Sequence, residues 1–198
     1  MFSGIIQEVA KIKESKVLNN GKVLSIEISE ELYDMVRIGD SIAVNGVCST
    51  ITSKINRLIT FDYLPETLKK TTLKTLKKND LVNIEPSLTM NTLINGHIVT
   101  GHVDCKGRVK NINKTDEWTI LEVDYPPQFQ KLVVEKGSIA IEGIALTLVN
   151  LQNKTFECHL IPHTYENTII KNKKINDELN LEFDIIGKYI QRNIEIKN

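Results

Sequence analysis

The chain has 198 residues, and its 25 Lys and Arg residues balance its 25 Asp and Glu residues. The resulting formal net charge of zero argues against nucleic-acid binding, because phosphate contacts usually leave a basic footprint. No stretch approaches about eighteen uncharged apolar residues, so we expect no membrane span. The three cysteines form no CxxC pair and the N-terminus has no signal-peptide pattern, so we expect a reduced, cytoplasmic setting.

The first half of the chain begins with a series of short runs rich in Ile, Val and Thr. Gly, Asn and Asp turn signals separate the runs, which is typical of consecutive β-strands. Their spacing favours a small closed barrel over alternating strands and helices. The runs are GIIQEVAKIKE (4–14), KVLSIEIS (22–29), DSIAVNGVCSTIT (40–52), LITFDYL (58–64) and DLVNIEPSL (80–88).

Helical periodicity is found in short segments only. One short helix is predicted after LPET (64–67), with Leu68, Thr72, Leu73 and Leu76 on one face, and its counterpart is predicted after IPHT (161–164). The C-terminal segment 184–196 forms a second kind of helix, whose apolar stripe either docks on a barrel or packs against other chains. The stripe contains Ile186, Tyr189, Ile190 and Ile194.

The sequence contains an internal duplication. SIAVNGVCST (41–50) matches SIAIEGIALT (138–147) at a shift of 97 residues, and the same shift aligns other segments of the two halves without a gap. Chance similarity would drift in register over such a distance. We therefore predict two similar barrels, residues 1–97 and 98–185, followed by a C-terminal helix and tail, residues 186–198.

Two similar barrels can bind two similar ligands, or one ligand at their junction, although repeats also arise for purely structural reasons. The two repeated segments, 41–50 and 138–147, differ at two chemically important positions. Asn45 corresponds to Glu142, and Cys48 corresponds to Ala145.

The segment between the copies, INGHIVTGHVDC (94–105), contains the other candidate reactive residues. Zinc ligation by His97, His102 and Cys105 is one interpretation, but their spacing is not a usual one for zinc. A histidine near the junction can act as an acid, a base or a hydrogen-bond donor, and it can equally cap a strand. Cys48 is a candidate nucleophile, although a buried free cysteine is more often a small apolar residue.

Seven segments, taken in order, resemble the riboflavin synthase family of the alpha-chain type. They are MFSGII, SIAVNGVC, LPETLKKTTL, NGHIVTGHVD, KGSIAIEGIALTL, IPHT and NLEFDIIGKY, and the resemblance runs from Met1 to about Arg192. It implies an all-β fold of two similar six-stranded Greek-key barrels plus a C-terminal helix that associates three chains.

The resemblance also implies the reaction. Two molecules of 6,7-dimethyl-8-ribityllumazine exchange a four-carbon unit to give riboflavin and 5-amino-6-ribitylaminouracil, without a cofactor or a metal. The active site is implied to lie between the N-terminal barrel of one chain and the C-terminal barrel of its neighbour in a homotrimer. Lumazine synthase is a further partner to be tested, and no nucleic acid or membrane takes part.

The family's site residues are carried over position by position. The N-terminal site would use Gly4, Ile5, Ile6, Cys48, Ser49, Thr50, Asp62, Tyr63, Leu64, Pro65, Glu66 and Thr67. The C-terminal site would use Gly101, His102, Val103, Lys136, Ala145, Leu146, Thr147, His159, Leu160, Ile161, Pro162, His163 and Thr164. Catalysis or its support is implied for Phe2, Ser41, Cys48, His97, Glu142, Thr147 and Asp184. His97 is predicted to transfer a proton or assist a nucleophile, and Cys48 to line the N-terminal ligand.

The chain departs from the family pattern in the second repeated segment, residues 138–147. Many members read DGxSLT where this chain reads EGIALT, so Glu142 replaces Asp and Ala145 replaces Ser. The missing hydroxyl leaves the identity of the nucleophile open. It also motivates a second hypothesis, a non-catalytic lumazine-binding antenna protein of the same fold.

Overall fold

The computed structural model describes residues 1–197, with side chains as far as Ile196. The first half forms a closed barrel in the order β1-β2-β5-β4-β3-β6, which confirms the predicted closed barrel. The neighbouring strands of this barrel pair antiparallel. Its elements are β1 (Glu8–Leu18), β2 (Gly21–Glu27), α1 (Glu30–Met35), β3 (Ser41–Val44), β4 (Val47–Ile55), β5 (Leu58–Tyr63), α2 (Pro65–Lys70) and β6 (Leu81–Pro86).

The second half repeats this arrangement as a six-stranded sheet in the order β10-β9-β12-β7-β8-β11, followed by a C-terminal helix. A short 3-10 helix, Pro127–Leu132, stands in the place of α1. None of the described helices is both long and apolar enough to cross a membrane. The elements are β7 (Cys105–Lys114), β8 (Thr119–Asp124), β9 (Ser138–Ile141), β10 (Ile144–Thr147), β11 (Thr155–Leu160), α3 (Pro162–Glu166), β12 (Glu178–Phe183) and α4 (Ile185–Lys197).

The second barrel is closed less completely than the first. Strand β10 has four residues where β4 has nine, so the gap between β10 and β11 is spanned by one isolated bridge, Val149 to Glu157. Asn150 follows the bridge with a φ of 50°, a left-handed conformation that turns the chain out of the strand. The prediction of two similar six-stranded barrels is confirmed, with the first barrel closed and the second nearly closed.

The helix predicted after LPET is split in two. Helix α2 ends at Lys70, Thr71 is extended, and a 3-10 turn covers Thr72–Lys74. The Thr71 hydroxyl donates to the carbonyl of Thr67 (2.8 Å) and accepts from the amide of Leu73 (3.4 Å). Because this side chain competes for backbone groups, the single helix cannot continue through Thr71.

Side chains at alternate strand positions fill each barrel. On β5, Ile59, Phe61 and Tyr63 are buried, whereas Asp62 between them is exposed. The corresponding strand β11 buries Phe156, Cys158 and Leu160 and exposes His159. Alternation of this kind follows from the two-residue period of a strand, and it decides which residues can meet a ligand outside the barrel.

Two buried asparagines, 97 residues apart in equivalent strands, join the barrels. Each amide spans the interface, donating to a backbone carbonyl of the other half and accepting from a backbone amide of the other half. Since both asparagines are almost fully buried, every one of these polar groups needs its partner. The bonds run from Asn83 Nδ2 to Glu142 O (3.0 Å), Ile169 N to Asn83 Oδ1 (2.9 Å), Asn180 Nδ2 to Asn45 O (2.9 Å) and Thr72 N to Asn180 Oδ1 (2.7 Å).

Candidate active site

Each barrel is joined by a short segment from the other half of the chain. The segment binds beside the repeated sequence, which is residues 41–50 in the first barrel and residues 138–147 in the second. The amide of Ala145 donates to the carbonyl of Gly4, and the amide of Cys48 donates to the carbonyl of Gly101, both at 2.8 Å. The two bonds are equivalent under the 97-residue shift. Each barrel thus contributes one segment to its partner and receives one in return.

This exchange corrects the predicted grouping of the site residues. Ile6 packs against the C-terminal core and Val103 packs against the N-terminal core. Residues 4–6 therefore belong with the C-terminal barrel, and residues 101–103 belong with the N-terminal barrel. The structure thus brings each segment to the barrel of the other half, whereas the sequence prediction grouped it with its own half, because the backbone hydrogen bonds run between the halves.

Two buried glutamates hold the exchanged segments from the side of their own barrels. Glu85 accepts from the amides of Ser3 (2.8 Å) and Gly4 (3.1 Å). In the same way, Glu182 accepts from the amides of Thr100 (2.7 Å) and Gly101 (2.9 Å). Burial raises the pKa of the Glu85 carboxyl, and the Ser3 donors oppose that rise. The sequence prediction missed both residues, although their identity at a 97-residue spacing marked them.

Glycine is required where each exchanged segment meets its host barrel. Gly4 and Gly101 have φ values of +79° and +80°, which residues with a Cβ rarely adopt. A Cβ on Gly4 would lie 2.5 Å from the Cβ of Ala145, and a Cβ on Gly101 would lie 2.6 Å from the Cβ of Cys48. The backbones therefore approach each other closely at both positions.

We call the outer face beside β4, β5 and α2 the N-terminal surface. Cys48 is half-buried there, and Asp62 and Leu64 are exposed, with Leu64 at 70%. The surface is open, since helix α2 lies at its edge and His102 is exposed. Its residues are Cys48, Thr50, Asp62, Leu64, Pro65, Glu66, Thr67, His102 and Val103.

We call the equivalent face of the second barrel the C-terminal surface. Ile161, at the position of Leu64, is 61% exposed. Lys136 stands beside the surface, because its amide donates to the carbonyl of Leu148 (2.9 Å), the residue after β10. The residues of the surface are Ile5, Ile6, Lys136, Ala145, Thr147, His159, Ile161, Pro162, His163 and Thr164.

Some predicted substrate-binding side chains point into the barrels instead. Ser49 and Tyr63 are buried and share a hydrogen bond of 2.9 Å between their hydroxyls. Burial raises the pKa of the Tyr63 phenol far above its ordinary value. Leu160 is buried and Leu146 packs against the C-terminal core. These four side chains fill or adjoin the cores, so only the backbone of Ser49, Tyr63 and Leu160 faces the surfaces, and their substrate-binding role remains a prediction.

The two surfaces differ in charge at equivalent positions. Asp62 and Glu66 of the N-terminal surface correspond to His159 and His163 of the C-terminal surface. The His159 imidazole lies 3.5 Å from the carboxylate of Glu157. The N-terminal surface therefore carries two carboxylates, that of Glu66 paired with Lys70 at 2.9 Å, where the C-terminal surface carries two imidazoles.

His97 lies at the junction of the two barrels. Its amide donates to the carbonyl of Ser3 (3.2 Å), which is next to Gly4. The preceding Gly96 passes so near the C-terminal surface that a Cβ on it would lie 2.6 Å from the Cβ of Ala145. Burial lowers the pKa of the His97 imidazole, while the carboxylates of Asp184 and Glu182 oppose this. The structure therefore places the backbone of His97 beside Ser3 and its imidazole near the carboxylates of Asp184 and Glu182, at the junction of the two barrels.

Phe2 and Cys48 meet where the exchanged segments cross. Phe2 is fully buried, and its backbone pairs with Val99 through two hydrogen bonds of 2.7 and 3.0 Å. Its ring packs with Ala43 and Ala140, and Cys48 lies against this cluster. Phe2 therefore supports both surfaces from beneath and offers no side chain to a ligand on either.

Glu142 is fully buried away from both surfaces, and its catalytic role remains a prediction. Its carboxylate is fully buried between the barrels, where it accepts from the amide of Asn180 (2.6 Å) and lies 3.3 Å from the Lys173 ammonium. Asn45 makes the equivalent bond, accepting from the amide of Asn83 at 2.7 Å. Burial raises the pKa of Glu142, and Lys173 opposes the shift. The acidic residue thus completes the barrel interface.

Three other predicted catalytic residues lie in different places. Ser41 pairs with Thr50 and lines a cavity of about 390 Å³ between α1 and the linker after β6. Thr147 is exposed on the C-terminal surface. Asp184 caps α4, since its carboxylate accepts from the amide of Ile186 (2.9 Å). Within residues 1–196, no three His, Cys, Asp or Glu side chains gather as a metal-binding group.

Replacing Gly101 by Ala will test the close approach of the exchanged segment. The left-handed φ alone costs about 1–2 kcal/mol, and the collision with Cys48 adds roughly 1–3 kcal/mol. Gly39→Ala is the matched control, because Gly39 also has a positive φ (+93°) but nothing lies within 4 Å of its added Cβ. Urea unfolding should show the larger loss for Gly101→Ala, and equal losses would contradict the exchange.

The comparisons with known proteins agree with this geometry. The lumazine binding domain matches the chain twice, over residues 3–87 and 100–184. Riboflavin synthases of Actinobacillus pleuropneumoniae and Bacillus subtilis (strain 168) are 42% and 40% identical over 192 residues, which cover 97% of this chain and 89% of each relative. The crystal structure of LumP complexed with riboflavin has the same fold, with a TM-score of 0.87 at 19% identity, over 92% of this chain and 99% of that chain. The chain therefore belongs to the riboflavin synthase family of transferases.

Proposed function

We propose how the two surfaces divide the riboflavin synthase reaction, in which two molecules of 6,7-dimethyl-8-ribityllumazine give riboflavin and 5-amino-6-ribitylaminouracil. One substrate binds on each surface. The observation that carries this proposal is the exchange of segments, which builds two equivalent frameworks at Gly4–Ala145 and Gly101–Cys48. A reaction between two identical molecules needs two similar sites, and the duplication supplies them.

The charge difference assigns the two substrates different surroundings. The N-terminal surface has carboxylates where the C-terminal surface has imidazoles, so the same ring is polarised differently on each. Donor and acceptor of the four-carbon unit must be distinguished, although they begin as the same molecule. The substitutions at 62/159 and 66/163 provide that distinction, whereas Asn45/Glu142 serves the barrel interface.

Positioning supplies much of the rate acceleration in this proposal. The C7 methyl group of the substrate is acidic because its anion is delocalised over the ring, so a strong base is unnecessary. Holding two rings in a reactive arrangement replaces a bimolecular encounter by an intramolecular step. His97 accepts or returns a proton at the junction of the barrels, where burial lowers the pKa of its imidazole and favours the neutral form. Cys48 lines the N-terminal ligand, and neither role needs a cofactor or metal.

The complete active site forms between neighbouring chains. Leu64 and Ile161 are equivalent and largely exposed, so each surface is open within one chain. The carboxylate-bearing N-terminal surface of one chain complements the imidazole-bearing C-terminal surface of the next. A contact between two different surfaces is heterologous, and repeated around an axis it closes into a ring. A homotrimer with three such contacts fits this arrangement.

Helix α4 supplies a second contact between chains. Its first turn docks on its own barrel, since Lys188 lies 2.6 Å from the carboxylate of Asp104 and Gly187 approaches Leu132. The predicted apolar stripe is uncovered from this turn onward, because Ile186, Tyr189, Ile190 and Ile194 are 56–69% exposed. We assign this stripe to contacts among three chains.

Barrel limits at 97 and 185, a cytoplasmic location and association with lumazine synthase remain predictions.

Adding purified protein to 6,7-dimethyl-8-ribityllumazine alone will test the reaction and the role of His97. The wild type should release riboflavin catalytically, and His97→Ala should lower kcat by about 10²–10⁴-fold while substrate binding changes little. The lowered pKa of His97 places the acid limb of the rate profile below the ordinary histidine value of about 6.5. Protonation removes the base, so the rate falls as pH drops through this limb.

Met90→Ala is the control for His97→Ala, because Met90 is fully exposed in the same linker. Its rate should match that of the wild type. An unchanged rate in His97→Ala would remove the imidazole from the mechanism. Stoichiometric binding without product by the wild type would instead favour the antenna hypothesis.

Truncation before Gly187 will test the assignment of α4. Removing the exposed apolar stripe should convert trimers into smaller species, as measured by sedimentation velocity. The control is the double variant Arg192→Ala/Glu195→Ala, which changes only exposed polar groups of the same helix that form an ion pair of 4.0 Å. A truncated chain that remains trimeric would contradict this role of the helix.

A further inference from the structure

We propose that Trp118 forms an aromatic wall of the C-terminal surface and makes this surface bind the planar ring more tightly than the N-terminal surface does. The inference deepens the proposed function, on which it rests, by naming a residue that discriminates between two identical ligands. Trp118 is the only tryptophan of the chain. Its side chain is 42% exposed, although tryptophan has the largest apolar area available for burial.

The position of Trp118 follows from the register of β8 and β11. Ile120 pairs with His159 and Thr119 pairs with Leu160. Thr119 and Leu160 are buried, so Trp118 and His159 lie on the outward-facing positions of these two strands. The indole and imidazole planes are parallel within 3°, and their centroids are 6.5 Å apart. Trp118 therefore extends the row that already contains His159 and Ile161.

A tight turn fixes the backbone that carries the indole. The amide of Thr115 donates to the carbonyl of Trp118 (2.9 Å), and the Thr115 hydroxyl accepts from the amide of Trp118 (3.1 Å). Such a side-chain bond within a turn restrains the residue locally. The aromatic face is therefore presented to solvent in a defined position before any ligand binds, which lowers the entropic cost of stacking.

The N-terminal surface cannot carry an equivalent side chain. The residue 97 positions before Trp118 is Gly21, at the start of β2. A Cβ on Gly21 would lie 2.4 Å from the carbonyl oxygen of Tyr63, a backbone atom that cannot move aside. The repeat thus provides an aromatic wall on one surface and excludes it from the other. Stacking on an exposed aromatic ring is tolerant of ring chemistry and favours a flat heterocycle.

The test measures riboflavin binding by calorimetry, because riboflavin is a flat product that does not turn over by itself. Trp118→Ala should weaken the tighter binding phase by about tenfold and leave any weaker phase unchanged. Trp118→Phe should restore affinity to within about threefold. Ile55→Ala is the control, since Ile55 is another exposed apolar residue (62%) at a hairpin end, and its binding should match the wild type.

A second measurement makes the outcome independent of affinity. A single indole N–H resonance is expected in ¹⁵N-labelled protein, and riboflavin should shift it through the ring current of the stacked heterocycle. Unchanged affinity in Trp118→Ala, or an unmoved indole resonance while riboflavin binds, would overturn the inference and leave the proposed function intact. Absence of riboflavin binding to the wild type would overturn both.

Discussion

The rest of the structure depends on two backbone hydrogen bonds, from Ala145 to Gly4 and from Cys48 to Gly101. They require the exchanged segments to leave their own barrels while Glu85 and Glu182 still hold them. The close approach explains the glycines, since any Cβ at these positions would collide with the host strand. The same constraint places Gly96 beside Ala145, immediately before His97, because the linker must pass Ser3 before the second exchanged segment begins.

The two mismatches between the repeated segments 41–50 and 138–147 have different structural roles. Asn45 and Glu142 each accept one backbone amide across a strand pair, and Glu142 uses its second oxygen to approach Lys173. The residue equivalent to Lys173 is Leu76, and the residue equivalent to Glu142 is Asn45. The second half therefore contains a Glu142–Lys173 charge pair, whereas the first half has uncharged residues at both positions. Cys48 and Ala145 instead receive the exchanged segments. Chemical asymmetry between the surfaces comes from Asp62 and His159, further along the ligand faces.

Much of the fold could be predicted from the sequence, whereas the exchange could not. The 97-residue shift, the strand runs and the apolar stripe of α4 are local or repetitive signals. In contrast, the repeat makes Gly4 equivalent to Gly101 and Cys48 equivalent to Ala145. This equivalence holds whether each N-terminal segment stays on its own barrel or crosses to the other barrel, so the repeat does not distinguish the two arrangements. Only the geometry resolves that ambiguity. The inward direction of Ser49, Tyr63 and Leu160 was accessible from strand alternation, which the family-based assignment did not apply. The split at Thr71 required the hydrogen bonds of its hydroxyl.

A crystal structure of the protein with riboflavin bound would test the exchange most directly. A ligand on the C-terminal surface should contact residues 4–6 together with 145–147, and a ligand on the N-terminal surface should contact residues 101–103 together with 48–50. A ligand that contacts residues 4–6 and 48–50 on a single surface would contradict it.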